Sequence, residues 1–188
     1  MPAAHAQLPF DIKLFLHIAE ETHLKSEDVA ECLSFWNEWQ LALHSTTVSM
    51  AGCAFLAVWL DEPVEQAVDA AWSNSPSYGF RLNALAQTLC MCAVRARIPE
   101  IEKIGCAPVP APDPTLARLL TDAGLPARAR EGMLLARRYA LVTPKPYKGG
   151  CSVCALYEAC PTSPAKPSPN KKSPAIAGVT QDYTGQML

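Results

Sequence analysis

Residues 46–60 read TTVSMAGCAFLAVWL, and the class assigned to this stretch decides the fold. Within it, Val48 to Leu60 is the longest apolar run of the chain. The run is about a third too short to cross a bilayer. On a helical wheel its apolar residues fall on nearly every side, as in a helix that is buried all round. The expectation is a central helix over 46–60 with amphipathic helices packed around it.

The flanking sequence agrees with that expectation. In 10–21, Ile12, Phe15, Leu16 and Ala19 fall on one helical face. Ser26 precedes Glu27 and Asp28 as an N-cap with acidic residues in the first turn, and the helix it opens is expected to run to about His44. Val29, Leu33, Trp36 and Leu43 would point inward from it. Pro63 suits the first turn of a short helix whose stripe is Val64, Ala67, Val68 and Ala71. After the break SNSPSYG, a helix is expected over 78–97, burying Leu82, Leu85, Ala86, Leu89 and Ala93. Asp113 and Pro114 form an N-cap and N1 pair, and Gly124 closes that helix as its C′ residue. A last helix is expected over 127–142. Leu and Ala dominate the apolar residues and no strand pattern stands out, so the fold class expected is all-α. It would be a single helical domain, 1–161, of about six to eight helices, ending in a cysteine-rich metal loop at 149–161. Residues 162–188, rich in Pro, Ser and Lys, read as a flexible tail.

The chain has 188 residues and a net charge of −2, unevenly spread. Residues 1–75 hold 11 acidic and 2 basic side chains, whereas 76–188 hold 7 acidic and 14 basic. Either the two halves complement each other within one domain, or the basic half meets nucleic acid. In the expected last helix, Arg130, Arg137 and Arg138 would share a face. With Lys145 and Lys148 that face is a candidate for phosphate contacts, the alternative being a solvated face or ion pairs to the acidic half. The start has no basic segment followed by a long apolar core, which points to the cytoplasm and to reduced cysteines. No Gly-rich phosphate loop, H-E-x-x-H or G-x-S-x-G motif is present, so no catalytic residue is assigned.

The stretch GGCSVCALYEACP, residues 149–161, concentrates the chemistry. Cys151, Cys154 and Cys160 follow a C-x2-C-x5-C spacing, and Pro161 comes directly after the last. A C-x2-C turn puts two thiolates on one side of a tight loop, and a helical turn over ALYEA returns the third. A fourth thiolate is needed. Cys90 and Cys92 are two apart on a helix, hence about 200° apart, and cannot both face one site. Cys32 and Cys53 read as small buried hydrophobes. Cys106 follows a glycine in the proline-rich loop GCAPVPAPDP and is the preferred fourth ligand, with Cys90 or Cys92 next. Tyr147 and Lys148 flank the loop. One C-x2-C pair with a Cys-Pro end favours a 4Fe–4S cluster, with zinc as the alternative.

The C-x2-C-x5-C-P loop resembles the cluster loop of endonuclease III-type DNA glycosylases and that of RecB-type nucleases. The resemblance covers about a dozen residues and implies a 4Fe–4S cluster. It carries no catalytic residue over. Glycosylases place a further cysteine seven positions before the first of these three, where this chain has Pro144, and their helix-hairpin-helix motif has no match. The function expected is that of a small helical iron–sulfur protein serving electron transfer, redox sensing or a larger enzyme as accessory partner. The alternatives are a nucleic-acid-binding protein with a structural cluster, or a zinc-stapled adaptor. A protein partner is expected, nucleic acid is possible, and no membrane association is expected.

Overall fold

The stretch 46–60 is a β-hairpin, not a helix. In the computed structural model, which describes residues 7–130, 133–147 and 150–160, strand β1 (Leu43–Met50) pairs antiparallel with β2 (Cys53–Leu60) along its whole length, from Leu43 opposite Leu60 to Met50 opposite Cys53. Ala51 and Gly52, at φ of 50° and 78°, make the two-residue turn. Positive φ at both central positions is the type I′ geometry that matches strand twist.

The all-α expectation is therefore corrected to a mixed α/β fold. Six α-helices and two sheets are present among the described residues. The principal sheet has the order β1-β2-β5, with β5 (Ala140–Lys145) antiparallel to β2. The expected last helix over 127–142 is likewise absent. In its place β3 (Ala127–Arg130) and β4 (Met133–Leu135) form a small antiparallel sheet, followed by β5.

The physical reason lies in β2. Six consecutive residues, Phe55 to Leu60, are buried. Leu56, Val58 and Leu60 belong to one core, and Phe55, Ala57 and Trp59 to another. A strand covered on both faces loses its apolar–polar alternation and reads as a continuous apolar run, which periodicity cannot tell from a buried helix.

The first core is helical. Helices α1 (Ile12–Ile18), α2 (Ser26–Trp39), α3 (Glu62–Asn74) and α4 (Pro76–Arg97) deliver Phe15, Cys32, Trp36, Val64, Val68, Leu82, Leu85 and Leu89 to one face of the sheet. The short α5 (Glu100–Ile104) follows α4 and ends at Gly105, whose φ is 72°. On the opposite face, α6 (Pro114–Asp122) packs Leu116, Ala117 and Leu120 over Phe55, Trp59 and Val142.

Several local signals hold. Asp113 accepts from the N–H groups of Thr115 and Leu116 at 2.8 and 3.0 Å, an N-cap before Pro114. Gly124, at φ 96°, follows α6, and Pro63 sits in the first turn of α3. Ser26 differs from expectation, because it is the first helical residue. Lys25 holds the cap position without a side-chain bond. Helix α2 also stops at Trp39, and after a 3-10 turn over Gln40–Ala42 the chain enters β1 before His44. The tail 162–188 lies outside the described residues, as does Lys148.

Candidate metal centre

Two loops meet at the carboxyl-terminal end of the described chain. One leaves α5 through Gly105 and runs extended through Cys106 to Pro110. The other begins with the 3-10 turn Gly150–Val153. The Ala155 N–H donates to Val109 O at 2.7 Å, and Pro110 forms an antiparallel bridge with Cys154. The proline-rich segment Ala107–Pro110 is thus a strap against which the cysteine loop lies. The sequence suggested that a shared metal would bring these two loops together, but not that their backbones pair. The signal for that pairing was a run that prolines keep extended, with carbonyls left free to accept.

The cysteine loop is tightly wound. Cys154 N–H donates to Cys151 O at 3.2 Å, Tyr157 N–H to Cys154 O at 3.1 Å, and Ala159 N–H to Leu156 O at 3.1 Å. Consecutive turns run from Cys151 to Cys160, and Cys106 lies across the strap within reach of their charge. Burial raises its thiol pKa, and negative charge on Cys160, Cys154 and Cys151 raises it further. All four thiols are partly buried.

Tyr147 completes the surroundings. Its ring packs against the helical core. Its hydroxyl lies near both sulfurs, lowering the Cys106 thiol's pKa and interacting with Cys151. Burial and the charges of Cys106 and Cys151 push the Tyr147 hydroxyl pKa upward, so it stays a donor.

The other cysteines are elsewhere. Cys90 is buried in α4 and its thiol donates to Tyr139 O at 3.7 Å, and burial pushes its pKa to about 12. Cys32 lies in the helical core, with a pKa raised by burial to about 11. Cys92 is also raised to about 11, by burial and by the charge of Asp11, with Arg95 opposing. Among the described residues no three or more His, Cys, Asp or Glu side chains are gathered closely enough to hold a metal ion. The donor set nonetheless suits one in kind. Four soft sulfur donors come from two loops, none of the charges acting on Cys106 among the described residues is a cation, and thiols bind a metal ion by giving up their protons to it.

The arginines take a different arrangement from the one expected. Arg130 lies on β3, whereas Arg137 and Arg138 lie in the connection between β4 and β5, so they do not share a helix face. Arg137 donates to Glu62 at 3.4 Å from both terminal nitrogens. Arg138 makes a two-pronged contact with Asp69, at 2.6 and 3.2 Å, while its N–H donates to Glu65 at 3.0 Å. The basic half thus spends these charges on the acidic helix α3. Lys145 ends β5 opposite Ala54. His44 stacks on Trp59 with centroids 5.3 Å apart, and its Nε2 is 2.8 Å from Asp61.

No described helix is long and apolar enough to cross a membrane. No family model, no curated protein and no solved structure matches this chain.

Proposed function

We propose that this chain is a small α/β iron–sulfur protein in which Cys106, Cys151, Cys154 and Cys160 bind one 4Fe–4S cluster, for electron transfer or redox sensing toward a larger protein partner. The observation that carries the proposal is the strap: the Ala155–Val109 hydrogen bond and the Pro110–Cys154 bridge set the upstream Cys106 beside the C-x2-C-x5-C loop. About 45 residues separate Cys106 from Cys151 in sequence, so a shared ligand set explains why the two loops meet. A bound cluster supplies a one-electron couple, whose potential responds to hydrogen bonds at the sulfurs. Tyr147 is placed to make such bonds. The nucleic-acid alternative loses its main support, because Arg137 and Arg138 are already paired with α3.

Purification without air, with iron and sulfide assayed and a visible spectrum recorded, tests the proposal. Four irons and four sulfides per chain are expected for one such cluster. Each of Cys151→Ser, Cys154→Ser, Cys160→Ser and Cys106→Ser should lose iron. Cys32→Ala should keep it. A colourless protein with one zinc per chain overturns the cluster, and full iron retention in Cys106→Ser overturns the fourth ligand.

A further inference from the structure

The principal sheet has two outer edges, and the chain treats them differently. Backbone hydrogen bonds fix which groups point where. Leu60 donates its N–H to Tyr139 O at 2.9 Å, toward β5, while Asp61 donates to Ala42 O at 3.2 Å, toward the β1 side. Direction alternates along a strand. So Phe55, Ala57 and Trp59 address β1, and their partners Val48, Thr46 and His44 address β2 in return.

On β5 the residues that turn outward are Ala140, Val142 and Pro144, by the same alternation from Tyr139. Pro144 has no N–H to offer, and it stands where the β2 ladder loses nothing. It blunts that edge, and the cysteine loop lies beside it.

On β1 the residues that turn outward are Ser45, Thr47 and Ser49. None of the three makes a backbone bond on that side to another described residue. Thr47 and Ser49 are exposed. Strand β1 is eight residues long and contains no Pro, Lys, Arg, Asp or Glu. Among the described residues it carries no proline, charge or bulge that would keep an edge from pairing. Its outward residues are also symmetric about Thr47. Two copies related by a two-fold axis there would place Thr47 opposite Thr47 and Ser45 opposite Ser49, with Thr46 facing Val48 and His44 facing Met50 across the joint. No like charges meet, and small polar and β-branched residues pair well across strands.

We propose that β1 is a dimerisation edge, through which a second copy of this chain pairs antiparallel about Thr47 to give one six-stranded sheet. A symmetric, uncharged strand suits its own copy better than a charged peptide, which would find no complementary side chain along β1. The dimer is independent of whether the cysteines hold a cluster.

Sedimentation and light scattering of the full chain across a micromolar concentration series test this. Twice the chain mass is expected at the upper end. Thr47→Lys, which sets two ammonium groups against each other at the axis, should halve the mass while leaving the circular dichroism spectrum unchanged. Hydrogen exchange of the unaltered protein gives a second measurement, independent of any variant. The Ser45, Thr47 and Ser49 amides should exchange about tenfold or more slower in the concentrated than in the dilute sample. A monomer at every concentration overturns the proposal. So does a dimer whose mass survives Thr47→Lys, since it would use another surface, and so does amide protection that does not change with concentration.

Discussion

A Cβ added to Gly79 would lie 2.5 Å from Cγ of Trp72 and 2.7 Å from its Cα. Gly79, in the first turn of α4, is a point of close approach between α4 and α3. The indole of Trp72, set edge-on to Phe80 at 6.4 Å, occupies the space a side chain would need.

Gly79→Ala should therefore destabilise the protein by about 1–3 kcal/mol, the usual cost of overpacking. The sign is the test, because Gly→Ala inside a helix ordinarily stabilises by up to about 1 kcal/mol. Chemical denaturation of the two proteins measures it. A gain in stability would show that α3 and α4 can separate without cost.

Ala51 carries the opposite opportunity. At φ 50° it holds a left-handed conformation that an alanine resists, whereas Asn tolerates it. Ala51→Asn should raise stability by about 0.5–1 kcal/mol and shift the thermal midpoint upward. An unchanged or lower midpoint would mean that the turn is not of this type.

Two buried threonines should respond differently to removal of a hydroxyl. Thr143 is 1% exposed and its Oγ1 has no hydrogen-bond partner among the described residues, whereas the Thr88 hydroxyl donates to Ala84 O at 2.7 Å. Thr143→Val should leave stability unchanged or improved, and Thr88→Val should cost about 1 kcal/mol. Equal losses at both sites would show that Thr143 has a partner after all.

Stability should decline at alkaline pH through Cys90. Burial raises its pKa from 9.0 to about 12, so the folded state holds the thiol proton more tightly than the unfolded state. The contribution is fully present below pH 9.0, and it is lost as pH rises from there toward 12. Urea midpoints at neutral and alkaline pH should fall less steeply for Cys90→Ala than for the unaltered chain, even though the variant starts lower. Parallel slopes would exclude Cys90 as the source.

In the cluster-loaded protein, Tyr147→Phe should lower the midpoint potential. Its hydroxyl has one proton to offer the nearby Cys106 and Cys151 sulfurs, and such a donor favours the more negative, reduced state. The loss of about 1 kcal/mol of hydrogen bonding corresponds to tens of millivolts for a one-electron couple. Redox titration with iron content held equal reads the shift. A potential that stays put would leave Tyr147 as packing only.

The helices were legible where one face met water. Val64, Val68 and Ala71 form the buried stripe of α3, and Leu82, Leu85 and Leu89 that of α4, each with a helical period. Asp113 with Pro114 marked the start of α6. The sheet was not legible, for three separate reasons. Strand β2 is buried on both sides, so Leu and Ala in it carry no period. The hairpin turn is Ala-Gly, without the Asn or Asp that announces such turns. Strand β3 is ARAR, whose arginines suggested a solvated helix. At the candidate metal centre, spacing alone singled out Cys151, Cys154 and Cys160, and the Gly105 turn singled out Cys106. The strap from Val109 to Pro110 depends on a backbone pairing between segments about 45 residues apart, which no local pattern encodes.

The double burial of β2 has a consequence for how the chain finds its own alignment. A strand with one wet face is held in place by solubility, since a one-residue slip would turn its apolar side outward. Strand β2 has no wet face over Phe55–Leu60, so hydrophobicity is silent about its alignment. What distinguishes its two sides is volume: Leu56, Val58 and Leu60 on one, Phe55, Ala57 and Trp59 on the other. A slip would drive the indole of Trp59 into a space shaped for an isobutyl group and leave the small Ala57 where a larger side chain belongs. Steric fit, rather than affinity for water, is the signal that locks this strand, so exchanging large and small residues between its two sides should disturb its alignment even when every residue stays apolar.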